Sequence, residues 1–279
     1  MKRKVKTKVK GFRTTDGAGV KLVRVLGNLT TKEFDPILML DSFDSINPDD
    51  YTAGFPMHPH RGIETISYVS RGKMVHRDSL GNEAGISDGE VQWMNSGSGI
   101  MHEEMVPAAE RLLGVQLWLN LPAKDKMSKP SYNSIKNEDI KEIEIEGGKI
   151  RLLAGKYGEH EGYKGDYLSM DYYDIHLNAD AEVTLTMEED DSVMVFTLLG
   201  DVYIDGEHIE EKTAVKLTEG DSLTIKNGNE KAQVLYMNSR ALNEPVAWPG
   251  PIVMNTQEEL QKAFLELRSN TFIKETAEY

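Results

Sequence analysis

TISYVSRGKMVHRD, residues 65–78, is a β-branched run that a glycine turns into a second run, and residues 86–97, ISDGEVQWMNSG, follow it with another glycine turn and strand. The second half repeats this grammar in residues 193–206, VMVFTLLGDVYIDG, and residues 216–228, KLTEGDSLTIKNG. The identity is low but the order of strands and turns is the same, which is the signature of a duplicated unit. Working outward, GVKLVRVLG (19–27), GVQLWLNLP (114–122) and AEVTLTM (181–187) add further short runs bounded by Gly, Asp and Asn. Many short strands with regular turn punctuation predict an all-β protein built from barrels or sandwiches, not alternating β-α units. A chain of 279 residues with 39% apolar content exceeds what one core usually organises, so two domains are expected. The polar stretch 122–139, with two prolines, is the expected join and gives domains of 1–135 and 136–279. One helix is predicted: NTQEELQKAFLELRSN (255–270) opens on a capping box from Thr256 to Glu259, with Leu260, Phe264 and Leu267 at helical spacing.

Charge and composition restrict the function. A formal charge of −14 repels phosphate backbones and anionic lipid, so neither direct nucleic-acid binding nor membrane association is expected, and small molecules or proteins are the expected partners. The basic start, MKRKVKTKVK, lacks the apolar stretch of a secretory signal and reads as an exposed strand with Val5, Thr7 and Val9 facing inward. No run reaches the roughly 20 apolar residues of a membrane span, and a cytoplasmic location is expected. The absence of cysteine removes disulfides, thiolate metal sites and cysteine nucleophiles together.

Any metal must therefore bind through nitrogen and oxygen, and two clusters offer those donors. In HPHRGIETISYV (58–69), His58 and His60 lie two residues apart, and Pro59 biases His58 toward extended geometry, so both imidazoles point to one side of a strand. In SGSGIMHEEM (96–105), the same parity pairs His102 with Glu104 and turns Glu103 away. Two such pairs on neighbouring strands place three imidazoles and a carboxylate around one point, leaving two positions open on a six-coordinate ion. Glu64 shares the parity of His58 and His60 and is an alternative carboxylate, or a structural partner of the site. HEEMV begins like a zinc-binding helix, but Val106 stands where the second histidine belongs. His76, His160, His176 and His208 lack clustered partners and read as surface or structural residues; Trp93 and Trp118 read as core filling.

Six segments together are similar to the pirin family of the cupin superfamily: DPILMLDSF (35–43), GFPMHPHRGIETISYV (54–69), HRDSLGN (76–82), GEVQWMNSGSGIMHEEM (89–105), GVQLWLNLP (114–122) and GPIVMNTQEELQKAF (250–264). The resemblance implies two jelly-roll β-barrel (cupin) domains, face to face, with a C-terminal helix. It also implies one divalent metal ion in the N-terminal barrel, commonly iron(II), with Zn, Cu, Ni, Mn and Co as alternatives. The family's ligands fall on His58, His60, His102 and Glu104. Aligning the halves by their turn glycines puts Thr186, Glu188, Gln233 and Leu235 at the corresponding places of the C-terminal barrel, which is expected to be without metal ligands. Met57 and Glu103 depart from residues frequent in relatives, and both are expected at the pocket mouth. The activity implied is that of a quercetin 2,3-dioxygenase, cleaving a flavonol-like substrate with O2 and releasing carbon monoxide and a depside, with Glu104 as the catalytic acceptor of the hydroxyl proton. The alternative is a non-catalytic iron-binding regulatory protein that binds transcription factors or metabolic enzymes; a metal-stabilised bicupin without turnover is the third reading.

Overall fold

The computed structural model describes residues 1–275. They form two compact units, each built from a seven-stranded and a four-stranded antiparallel sheet. In the unit that holds most of the first half, the larger sheet runs in the order Ser131–Ile135, Glu90–Asn95, Ile63–Arg71, Leu112–Asn120, Ile37–Ser45, Val20–Leu26 and Phe12–Asp16, and the smaller in the order Phe55–His60, Ile100–Met105, Lys73–Asp78 and Glu83–Ser87. In the other unit, Val5–Lys10, Thr213–Leu217, Ser192–Leu199, Ala232–Ser239, Met170–Leu177, Gly148–Ala154 and Lys141–Ile145 form the larger sheet; Glu182–Thr186, Ser222–Asn227, Val202–Ile204 and Glu207–Ile209 form the smaller. The repeated seven-plus-four plan is the duplication that the turn pattern predicts.

The units differ at their ends from domains of 1–135 and 136–279. One comprises Arg13–Thr31, Ile37–Lys136 and the described residues from Leu242; the other comprises Met1–Phe12, Lys32–Pro36 and Asn137–Ala241. The ends change places for separate reasons. Val5–Lys10 pairs with Thr213–Leu217, with Val5, Thr7 and Val9 half-buried as their parity requires, and Lys8 and Lys10 pair with Glu207 and Glu210 on the exposed side. The helix Gln257–Arg268 carries the predicted capping box and packs Leu260 and Ala263 with Ile252, Met254 and Phe272 in the first-half unit. The boundary between Lys136 and Asn137 falls inside the polar stretch 122–139, most of which is packed into the first-half unit. Ser131–Ile135 pairs with Glu90–Asn95, and the buried ammonium of Lys126 donates to Gly62 O, Asn120 Oδ1 and Val253 O.

The two interiors differ in chemistry. The second-half unit encloses one large apolar cluster that includes Ile150, Ile175, Val183, Leu185, Leu223 and Ile225. The turn-glycine alignment of the halves is displaced: Gln233 and Leu235 lie on Ala232–Ser239, a strand of the larger sheet, whereas the strand in the position of Ile100–Met105 is Ser222–Asn227. Thr186 and Glu188 are exposed. In the first-half unit, Val69, Met74 and Leu112 join an apolar cluster, but two to four residues along those same strands the buried side chains are Ser67, His76 and Gln116. Buried polar groups are costly unless they are hydrogen-bonded. In the first-half unit these buried polar groups include three imidazoles and a carboxylate, His60, His76, His102 and Glu104.

Candidate metal centre

His58 and His60 stand on Phe55–His60, the edge strand of the four-stranded sheet, the position in a sheet where prolines such as Pro56 and Pro59 are tolerated. This strand pairs with Ile100–Met105 so that His58 lies opposite His102 and His60 opposite Ile100. Opposed residues of an antiparallel pair share a face, and the three imidazoles meet there. Their donor atoms all lie within 4.8 Å of one another.

Hydrogen bonds to the far side of two rings decide which nitrogen faces inward. His58 Nδ1 lies 2.8 Å from Pro56 O, and His60 Nδ1 lies 2.8 Å from Pro251 O. A carbonyl oxygen only accepts, so both Nδ1 atoms carry a proton, and in the neutral rings both Nε2 atoms present lone pairs. Those two Nε2 atoms are 3.1 Å apart, a contact that two lone pairs cannot satisfy without a cation between them. His102 Nε2 is buried and has no hydrogen-bond partner among the described residues. Burial first, then the electrostatic influence of the neighbouring His58 ring, lowers the His60 pKa to about 3. Burial and the neighbouring rings of His60, His58 and His76 push His102 well below its ordinary value. Both rings are thus neutral near pH 7, the form that ligates metal, and the donor set fits a divalent cation.

Glu104 is two residues beyond His102 in the same barrel interior, but it does not join the group of donors within 4.8 Å. The register of the two strands shifts between His102 and Glu104. Gln116 Nε2 lies 3.0 Å and 2.8 Å from its two oxygens, Gln92 Nε2 donates to Oε1, and Ser67 Oγ stands 3.5 Å away. Glu64 is buried on Ile63–Arg71 and also stays outside the cluster. Glu103 turns outward toward Arg77, and Met57 is 49% exposed.

Three neighbours were not legible as site residues. Trp118, read as core filling, is buried with its ring centroid 5.0 Å from that of His60, edge-on. Pro251, from a segment more than 180 residues away in sequence, supplies the carbonyl that orients His60. His76 is the clear correction: far from lacking a partner, it is fully buried, with Nδ1 3.3 Å from His102 Nδ1 and Nε2 2.8 Å from Asp78 Oδ2. The sequence signal was its parity with Asp78 on a strand that pairs with the one carrying His102 and Glu104. His160 and His208 are exposed, and His176 pairs with Asp174.

A family model described as Pirin matches residues 19–119, which contain all three imidazoles, and one described as Pirin C-terminal cupin domain matches residues 172–273. The chain belongs to the pirin family. Its two seven-plus-four units are therefore cupin domains. Within the family it is 39% identical over 268 residues to a Pseudomonas aeruginosa protein named "Putative quercetin 2,3-dioxygenase PA3240", covering 92% of this chain and 94% of that one. It is 35% identical over 277 residues to human pirin, covering 96% and 93% of the two chains. A solved quercetin 2,3-dioxygenase from Acinetobacter baumannii has a TM-score of 0.89 and 30% identity with it, over 98% of this pirin-family chain and 99% of the other.

Proposed function

We propose that His58, His60 and His102 hold one divalent metal ion through their Nε2 atoms, that Glu104 supplies the fourth donor, and that the centre serves an oxygenase of the quercetin 2,3-dioxygenase type. The observation that carries this reading is the convergence of three buried or half-buried Nε2 atoms, two facing each other at 3.1 Å and the third without a partner among the described residues. The names of the Pseudomonas and Acinetobacter relatives support flavonol and O2 as the substrates. Iron(II) is the metal proposed, although intrinsic affinities rank copper above it for any such donor set, so supply and geometry decide. Bound by three neutral imidazoles and a carboxylate, a divalent ion keeps one net positive charge and supplies an electrophilic point for an anionic oxygen donor and for O2.

The chain's own residues do the rest. The carbonyls of Pro56 and Pro251 hold the His58 and His60 rings in the ligating tautomer. Glu104, whose neighbours Gln92 and Gln116 are amide donors and not acids, is the acceptor for the hydroxyl proton of an incoming flavonol. Gln92 and Gln116 orient that carboxylate, and the edge of Trp118 shields His60 from water. Protein loaded anaerobically with ferrous iron is expected to consume O2 and release carbon monoxide with at least one of a panel of flavonols, and His102→Ala to lose both. Stoichiometric metal binding without turnover on any flavonol would overturn the oxygenase assignment.

A further inference from the structure

The three rings of the centre are not oriented alike. His58 and His60 lean on backbone carbonyls, whose polarity no substitution reverses. His102 leans instead on another imidazole, His76, at 3.3 Å between Nδ1 atoms. An imidazole can donate or accept at that position, so something further must set its polarity. Asp78 is in place to do so. Its side chain is fully buried, Oδ1 accepts from the backbone N–H groups of Leu80 and Asn82 at 2.8 Å and 3.1 Å, and Oδ2 accepts from Asn82 Nδ2 at 2.9 Å and lies 2.8 Å from His76 Nε2. His76 is locked as a plane by stacking on Tyr132, with centroids 4.0 Å apart and the rings inclined by 11°.

We infer that Asp78, acting through His76, fixes His102 in the tautomer whose Nε2 lone pair faces the metal centre. A carboxylate only accepts, so the proton of neutral His76 sits on Nε2. Its Nδ1 then carries a lone pair and accepts from His102 Nδ1–H, which leaves His102 Nε2 bare. His76 and Asp78 are positioning residues, two residues apart on one face of Lys73–Asp78. Their effect on metal affinity rests on the metal-centre reading, but the tautomers themselves do not.

Asp78→Asn is the test, because the structure fixes how the new amide sits. Its Oδ1 stays with the two backbone N–H groups, so its NH2 replaces Oδ2 and donates to His76 Nε2, while the Asn82 amide, which donates to Oδ2 in the wild type, turns to present its oxygen. The chain of polarity then reverses: His76 is protonated on Nδ1, donates to His102 Nδ1, and His102 carries its proton on Nε2. Long-range proton–nitrogen correlation spectra of histidine-labelled, metal-free protein read this directly. In the wild type, protons are expected on His102 Nδ1 and His76 Nε2; in Asp78→Asn, on His102 Nε2 and His76 Nδ1. Calorimetric titration with zinc(II) is expected to show affinity reduced roughly 10–100-fold with unchanged stoichiometry, as when the outer partner of a ligating histidine is lost. A wild-type His102 protonated on Nε2, a His76 protonated on both nitrogens, or a folded Asp78→Asn with wild-type tautomers and affinity overturns the inference. The wild-type spectrum decides even if the variant does not fold. Expected tautomers in a wild type that binds no zinc would support the relay and count against the metal centre alone.

Discussion

Gln116→Leu isolates the contribution of the amide cradle around Glu104. The Glu104 carboxylate is 2% exposed, and the Gln116 amide lies 3.0 Å and 2.8 Å from its two oxygens while also donating to Ser67 Oγ at 3.0 Å. Leucine fills a similar volume but leaves Oε2 without that donor, in a place where water has little access. A hydrogen bond to a charged group contributes about 1.5–3 kcal/mol, and stranding a buried acceptor costs a similar amount. One amide serves both oxygens and Gln92 still donates to Oε1, so the expected loss is about 2–3 kcal/mol. The molecule supplies a selective probe: its three tryptophans, Trp93, Trp118 and Trp248, all belong to the unit that holds Glu104. Denaturant unfolding followed by tryptophan fluorescence should show a lower midpoint with an unchanged slope. A variant within about 0.5 kcal/mol of wild type would refute the reasoning, because it would mean that the cradle is not what satisfies the carboxylate.

Three further expectations use the same probe on metal-free protein. Gly62 has φ +79° and an added Cβ would stand 2.0 Å from Val253 O, so Gly62→Ala should cost more than about 2 kcal/mol and, by shifting the segment that carries Pro251, weaken metal binding as well. Thr256→Ala removes the hydroxyl that accepts from Glu259 N and should lower stability by about 1 kcal/mol, seen as a shifted midpoint. Buried His60 has its pKa at about 3 in the folded chain, against about 6.5 when unfolded. The unfolded state therefore holds the extra proton between these values, and stability should fall as pH drops from 6.5 toward 3, by about 1.4 kcal/mol per pH unit from this group. His60→Asn should flatten that dependence; an equal slope in the variant would contradict it.

How much of this was readable in advance depends on how local the cause is. Parity on a strand is local, so His58, His60 and His102 could be picked from spacing alone; the cap of the helix is local too, and Thr256 and Glu259 form it as read. Duplication could be seen because each turn glycine is a local requirement repeated in order. What pairs with what is not local. Val5–Lys10 joins the second-half unit through a partner more than 200 residues away, and His60 takes its orientation from Pro251 by a contact that no spacing rule reaches. His76 escapes because parity within one cluster says nothing of the pairing, across two intervening strands, that brings Lys73–Asp78 beside Ile100–Met105. Glu104 had the right parity, but the register shift beyond His102 places its carboxylate among amides, at a distance that parity cannot give.

The position of the ion is the most direct measurement. Crystals soaked in iron(II) or zinc(II) and measured at the metal's absorption edge should contain one anomalous peak in the first-half unit, at about 2.0–2.2 Å from Nε2 of His58, His60 and His102. A peak on Nδ1 of any of these rings, an ion bound elsewhere with this cluster vacant, or no ion between the three imidazoles at saturating metal would contradict the account.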